Sequence, residues 1–453
     1  MSEHALGFDV GLSGVRATVV REDGLLVASA RRPHERARMG DGIAEHDPFD
    51  WLDGVTAAGR EAVEAAGGAR IACVGVAALG PAPVLVDEDL WPLTPALLFA
   101  LDRRSEPQRR RMDAATLDNA LPKLAWWLEN EPERVERAAW ALDATGFVVA
   151  ALTGVPVMDS ITAGDYAVPG VEPPVPIPAP VDPMAIAGEL VPDWARRLGL
   201  PPGLPVAAGT YDSFVDLAGA GVRRPGDSGL VLGSTMIICR ATEGGVEPPA
   251  GLGVSAYPGE GHLVGGWTLS GGLVLDWFSG RFGGCHDLAT APAAVLPSPV
   301  LALPYISGER TPLWDPLARG AVIGLTPQTG PAEVYRALVD SLALAVLDHA
   351  ERLEEMLGPC SAWRATGGGT GHPLWAQATA DALDAPLELA PDAAEAGGPA
   401  LLALRVIGAD PDRPPAGTVE PDPLGSERLR RLLPTFRELS SLTKGLFAEE
   451  TAS

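Results

Sequence analysis

The chain has 453 residues, 46% of them hydrophobic and 21% charged, and its 59 acidic side chains outnumber 34 basic ones for a formal net charge of −25. The length has room for about two or three domains with large cores, and the composition is that of a globular protein. No basic face is left over for nucleic acid or an anionic membrane, so neither is expected as a partner.

Cys73, Cys239, Cys285 and Cys360 lie far apart and show no CxxC or Cys/His ligand spacing. That pattern fits a reducing compartment with no structural zinc and no disulfide framework. Met1–Leu6 runs straight into a strand pattern and no apolar run approaches bilayer length, so neither signal peptide nor membrane span is expected and the location expected is cytoplasmic. The one local basic cluster, Arg103–Arg111, reads as a solvated helix face.

In chain order, Ala5–Arg32 reads as two strands joined at the Asp23–Gly24 turn. The first strand is interrupted by a glycine-rich bend, Asp9-Val-Gly-Leu-Ser-Gly14, that ends in Arg16. Glycines let a backbone approach a phosphate with its N–H groups, and an aspartate just before the bend can hold Mg²⁺. The spacing matches neither GxxxxGK[ST] nor GxGxxG, and a bulged strand with a half-exposed Asp9 explains it equally well. A helix follows from Asp47–Pro48, then a buried strand over Ile71–Leu79, an apolar stretch over Val84–Phe99, and helical patterns over Leu121–Glu129 and Pro132–Thr153. Val168–Pro183 is too rich in proline for helix or inner strand and should be extended loop.

Leu204–Gly221 passes from an apolar strand through Gly209 into a helical pattern, with Asp212 at the junction. A carboxylate there can face a cleft while the elements behind it are held by packing, although by itself it reads first as a helix N-cap. After Gly221 the N-terminal pattern recurs: Arg223–Ala241 holds a turn, then a strand interrupted by Gly233-Ser234-Thr235, then more strand. The recurrence suggests a duplicated α/β unit whose two loops grip one polyphosphate. Leu301–Thr326 reads as strand, long functional loop and returning strand. Val334, Leu338, Leu342 and Val346 form the core stripe of a helix over Pro331–Leu357. Arg364–Leu383 is a strand end, the triplet Gly367-Gly368-Gly369 and a helix, an order that suits a planar or phosphorylated ligand. Helices over Gly397–Gly408 and from Ser426 to about Phe447 close the chain.

In this order, DVGLSGVR, AAGTYDSFVDLAGAG, LGST, LPYISGERTPLWDPLARGAVIGL and GGGTGHPLWAQATAD with GGPALLALRV resemble the motifs of the FGGY family of carbohydrate kinases, the xylulokinase branch most closely. The match covers nearly the whole chain, and GERTP followed by DPxARG is its most specific part. The resemblance implies an α/β fold of two actin-like, ribonuclease-H-like domains with an interdomain catalytic cleft. It implies residues 1–222 for the sugar site, first phosphate loop and catalytic aspartate, and residues 223–453 for nucleotide binding. ATP and Mg²⁺ are the implied cofactors, a small sugar or polyol the implied substrate, and a homodimer the assembly by analogy. Asp212 is similar to the family's catalytic base and Asp9 to its metal-site aspartate. Gly11, Leu12, Ser13 and Arg16, together with Gly233, Ser234 and Thr235, resemble the two phosphate loops, while Gly367, Gly368 and Gly369 resemble the nucleotide-binding glycines. Asp216, one helical turn beyond Asp212, is expected to be structural.

Two departures from the family pattern stand out. Leu12 replaces the usual threonine, which removes one hydroxyl from the first phosphate loop and should weaken nucleotide affinity. Xylulokinases have Gln-Met-His where this chain reads Leu79-Gly80-Pro81, and Asn after the catalytic aspartate where this chain has Ser213. A hydrogen-bonding wall has become smaller and apolar, which should change the sugar that fits. Leu79, Gly80, Pro81, Tyr211, Asp212, Ser213 and, aligned with the family's Trp-x-Asp-x-Arg, Asp102 are the candidate substrate contacts. The alternative is a catalytically weak or inactive nucleotide- or sugar-binding module on the same fold.

Overall fold

A computed structural model of the protein describes residues 2–40, 42–112, 119–244, 246–257, 261–282, 300–411 and 413–447. Three antiparallel strands open it: Glu3–Gly11 (β1), Gly14–Arg21 (β2) and Leu26–Pro33 (β3). The expected bend is the tip of the first hairpin, where Gly11 faces Gly14. Alternation in β1 sends Leu6, Phe8 and Val10 into the core. The helix Pro48–Ala65 (α1) covers that face with Trp51, Val55, Ala58 and Ala62, and the carboxylate of Asp47 caps it by accepting from the Phe49 N–H. Arg70–Ala78 (β4) then lies parallel to β1, and Ile186–Glu189 (β5) and Pro205–Ala207 (β6) extend the sheet in the order β5-β6-β4-β1-β2-β3. Thr210–Tyr211 (β7) also pairs with β4 and runs directly into the helix Asp212–Gly219 (α2).

The same scheme recurs in the second half. Ser228–Leu232 (β8), Met236–Thr242 (β9) and His262–Trp267 (β10) are antiparallel in sequence, and after the helices Gly272–Phe282 (α3) and Pro331–Leu357 (α4), Trp363–Thr366 (β11) returns parallel to β8. The helix Pro373–Leu383 (α5) leads to Leu387–Leu389 (β12), parallel to β11. Three antiparallel strands followed by parallel ones on the side of the first is thus the order of both sheets, as the repeated hairpin pattern suggests. Leu338, Leu342 and Val346 of α4 are buried in the second core, with Val334 packed at its margin.

The chain divides into one unit of Met1–Gly219, Ala256–Glu260 and Asp392–Arg413 and another of Ala220–Ser255, Gly261–Pro391 and Pro414–Ser453. The helix Asp392–Val406 (α6), which a single boundary after residue 222 assigns to the C-terminal half, packs on β1 and β4 of the first unit. Its reason is steric. Gly7 and Gly75 face each other across the β1–β4 ladder, and a Cβ on them would stand 2.3 Å from the Ala400 nitrogen and 1.9 Å from the Pro399 oxygen. Only a glycine pair lets a helix backbone lie directly on a sheet backbone. The expected helix over Pro132–Thr153 is also broken, into Pro132–Arg137, a strand Trp140–Leu142 paired with Val84–Val86, and a helix Ala144–Thr153. The apolar residues that suggested one helix bury two different elements. Cys73, Cys239 and Cys360 are free thiols, whereas Cys285 lies outside the described residues. Among the described residues no helix is long and apolar enough to cross a membrane.

Replacing Gly75 by alanine should lower stability by roughly 3 kcal/mol, because the new methyl group meets backbone that cannot yield. Gly280 in α3 has nothing within 4 Å of an added Cβ, so Gly280→Ala serves as the control and should leave the thermal midpoint unchanged or raise it. Equal midpoints for the two variants would contradict this packing.

Candidate active site

Register builds the site of the first unit. Asp9 of β1 is paired with Ala77 of β4, and Ala77 with Thr210 of β7. Two interstrand spacings put the backbones of Asp9 and Thr210 about 10 Å apart at one end of the sheet. Asp212 follows two residues later as the first residue of α2. Its Oδ1 accepts from the N–H of Ser213 at 2.6 Å, a bond to the next residue rather than the longer reach of an ordinary N-cap. Burial raises its pKa above the ordinary aspartate value, opposed by that N–H. Asp216, one turn further along α2, is half-buried, and its Oδ1 lies 2.6 Å from where a Cβ on Gly398 of α6 would stand.

The hairpin tip is held from the neighbouring strand. Arg31 donates to Ser13 Oγ at 2.7 Å, the His34 N–H donates to the Ser13 carbonyl, and His34 Nε2 donates to the Gly11 carbonyl at 2.8 Å. Leu12 packs its side chain against the core of the unit, and Arg16 stands 4.0 Å from Asp9. The Leu79 N–H donates to the Val10 carbonyl, which ties the segment after β4 to the same strand end. Of that segment Leu79 and Pro81 are buried, and Gly80 keeps partial exposure. Asp102 presents no free carboxylate. It is buried, accepts from the Ala44 N–H at 2.9 Å and grips Arg104, which also binds Glu45 and lies over the Trp126 ring.

Beneath Gly80 lies a polar layer that no sequence pattern announced. Asp143 is buried where the expected long helix breaks, and its Oδ1 accepts from the Ala82 N–H at 2.7 Å and the Tyr166 hydroxyl at 2.9 Å. Tyr211 donates its hydroxyl to Asp165 at 2.9 Å. Burial pushes the Asp143 carboxyl up to about 7. Its only local signal was an aspartate preceding a helix, which reads as a cap.

In the second unit, the turn Gly233-Ser234-Thr235 and the triplet at Gly367 follow the adjacent parallel strands β8 and β11, so both leave the same end of that sheet. Gly367 has φ +96° and its missing Cβ would stand 2.7 Å from the Leu232 carbonyl oxygen. The triplet enters a short 3₁₀ turn, Gly368–Gly371, before α5, with Gly368 exposed and Gly367 and Gly369 buried. Gly272 donates its N–H to the Gly233 carbonyl at 2.9 Å and Leu273 to that of Ser234, so the start of α3 clasps the turn and leaves Ser234 exposed. The GERTP motif backs this clasp from inside. Glu309 is buried and accepts from the Leu269 N–H and the Ser270 hydroxyl, each at 2.6 Å, while Arg310 donates to the Thr268 carbonyl. Burial raises Glu309 to about 6.

Residues 4–173 match the N-terminal domain, and residues 226–406 the C-terminal domain, of the FGGY family of carbohydrate kinases. The chain is 29% identical to a xylulose kinase of Klebsiella pneumoniae, over 92% of this chain and 93% of that one. Among solved structures it is similar to a xylulose kinase from Rhodospirillum rubrum, 26% identical with a TM-score of 0.81 over 98% of this chain and 100% of that one. A gluconate kinase from Lactobacillus acidophilus shares the fold at 19% identity, with a TM-score of 0.86 over 99% and 100% of the two chains. The chain belongs to the FGGY family and is an ATP-dependent carbohydrate kinase of two α/β domains with the actin-like fold.

Asp143 makes a prediction about stability. The native state holds its proton up to about pH 7, whereas an unfolded aspartate releases it near 3.8. Between those values the folded chain binds the extra proton, so stability falls as pH rises, on the order of 1 kcal/mol per pH unit for this group. Asp143→Asn keeps an acceptor for Ala82 and Tyr166 without the titration, and its unfolding midpoint should decline less than wild type from pH 4 to 7. Parallel declines would show that Asp143 is ionised in the native state.

Proposed function

We propose that this chain transfers the terminal phosphate of ATP to a hydroxyl of a ketose or polyol, with Asp212 as general base. The observation that carries the reading is the convergence, at one end of the first sheet, of Asp212, Asp9, the Gly11–Gly14 tip and the segment Leu79–Pro81. Phosphoryl transfer has a loose transition state, so positioning and charge neutralisation supply most of the acceleration. Asp212 orients the attacking hydroxyl by accepting its hydrogen bond and takes the proton as the bond to phosphorus forms. Its raised pKa makes it a better acceptor, while the first turn of α2 favours the ionised form. Ser213 and Tyr211 flank it against the sugar, and Asp102 acts at one remove by fixing Arg104 and the backbone at Ala44.

Gly11, Leu12 and Ser13 offer backbone N–H groups to the phosphates, with Arg16 adding positive charge. On this reading the second unit holds the nucleotide through Gly233, Ser234 and Thr235 and through Gly367, Gly368 and Gly369. Among the described residues there is no cluster of three or more His, Cys, Asp or Glu able to cage a metal. A single carboxylate suits Mg²⁺, which keeps waters and binds through one or two carboxylates and substrate phosphates. Asp9, 18% exposed beside the glycine tip, fits that role. A magnesium ion held by Asp9 would supply positive charge to the phosphates of ATP. The cytoplasmic location expected from the cysteine pattern and the homodimer implied by the resemblance belong to the same reading.

Wild-type protein should release ADP in the presence of ATP, Mg²⁺ and at least one sugar of a panel of ketoses and polyols. Asp212→Ala should lower kcat by about 10²–10⁴-fold with its circular dichroism unchanged. The acid limb of the wild-type rate should lie above the pH at which an exposed aspartate titrates, since the base must be ionised and burial raises its pKa. No turnover on any sugar would leave the binding-module alternative standing, and an alanine variant as fast as a wild type that turns over would overturn Asp212 as the base.

A further inference from the structure

The register of the first sheet sets two arginines side by side next to the glycine tip. Asp9 is paired with Arg16, and Arg16 with Arg31 of β3. Register partners in adjacent strands send their side chains to one face, so the three form a row on the face opposite that of Phe8 and Val10. Arg16 stands 4.0 Å from Asp9. Arg31 is exposed, and among the described residues its guanidinium makes a single hydrogen bond, to Ser13 Oγ at 2.7 Å, and no ion pair. Like charges directly opposite one another in a sheet are destabilising. In a chain with 59 acidic side chains against 34 basic ones, carboxylates are plentiful, yet none is set against Arg31. An anion at the tip would give this second arginine the partner that the fold does not. The backbone of the tip is oriented to match. The His34 ring lies 3.6 Å from Asp50 of α1 and its Nε2 donates to the Gly11 carbonyl. In a trans peptide the C=O and the following N–H point opposite ways, so the Leu12 N–H is directed away from His34.

We propose that Arg31 is a nucleotide-phosphate ligand, and that with Arg16 it forms a two-arginine clamp on the polyphosphate of ATP, in place of the hydroxyl that Leu12 lacks. The inference rests on the kinase reading above and adds a residue of β3 to its phosphate site. Arg31 carries a planar fork of five N–H groups, and Ser13 engages one end of it. Because the Ser13 hydroxyl accepts from Arg31, its own proton is directed elsewhere and can go to a phosphate oxygen. A guanidinium bound to phosphate makes charge-assisted bonds roughly twice as strong as neutral ones, so one arginine more than offsets one missing threonine hydroxyl. The bond to Ser13 also holds the fork at the tip before the nucleotide arrives, which lowers the entropy lost on binding.

The test is calorimetric binding of Mg·ATP and of adenosine, which has no phosphate, to wild type and Arg31→Gln, with steady-state kinetics on an accepted sugar beside it. Glutamine keeps an N–H for Ser13 and removes the charge, and the site is exposed, so the melting temperature without nucleotide should equal that of wild type. The expected result is an ATP dissociation constant raised about tenfold or more in the variant, with that for adenosine within about twofold of wild type. The KM for ATP should rise in parallel while the KM for the sugar stays within about twofold, a split that mere bracing of the hairpin would not produce. Unchanged ATP affinity, or an equal loss for ATP and adenosine, would overturn the clamp and leave the kinase reading intact. A wild type that binds ATP with the expected dependence on Arg31 but phosphorylates no sugar would overturn the kinase reading and uphold the clamp. A wild type that binds no ATP would overturn both.

Discussion

The contact that the first unit depends on is the seat of α6 on the Gly7–Gly75 pair. With no Cβ on either strand, helix backbone lies against sheet backbone, and neither β1 nor β4 can shift by one residue without driving a side chain into Pro399 or Ala400. That lock lies only two residues before Asp9 and four before Leu79. The metal-site candidate and the candidate sugar wall are thus fixed relative to each other by a packing contact made well behind both. β7 adds Asp212 to the same strand, so three chemically distinct pieces share one rigid support.

Polar groups withdrawn from water surround this support, and each is tied to the segment it positions. Asp143 holds Ala82, Asp102 holds Ala44, and His34 holds Gly11. Glu309 does the same in the second unit for Leu269 and Ser270. A buried acceptor without its donors would be costly, so such bonds fix loops more sharply than apolar packing does. The motif GERTP, the most recognisable string in the sequence, works in this way. Its glutamate and arginine face inward to the chain before α3, and α3 in turn clasps the turn at Ser234.

What the sequence made legible was local. The hairpin at Asp23–Gly24, the two glycine-interrupted strands, the strand-to-helix junction at Asp212 and the stripe of α4 are each written within about twenty residues, where turn chemistry and periodicity operate. What it hid depended on partners far along the chain. Asp143 reads as a helix cap until Ala82, 61 residues earlier, is placed beside it. Asp165 and Tyr211 are 46 residues apart, and the return of α6 to the first unit depends on glycines more than 300 positions before it. Leu79-Gly80-Pro81 could be seen as a smaller wall, but not that a tyrosine fills the space.

The central claim is that the carboxylate of Asp212 takes the proton from the sugar hydroxyl that receives the phosphate. Its most direct test is a single-turnover transfer from γ-labelled ATP to an accepted sugar, comparing wild type with Asp212→Asn, an isosteric change that keeps a hydrogen-bond acceptor. The account predicts that wild type forms labelled sugar phosphate, while the asparagine variant binds the sugar in calorimetry and transfers phosphate at least about a hundredfold more slowly. Transfer by the variant at the wild-type rate would contradict it.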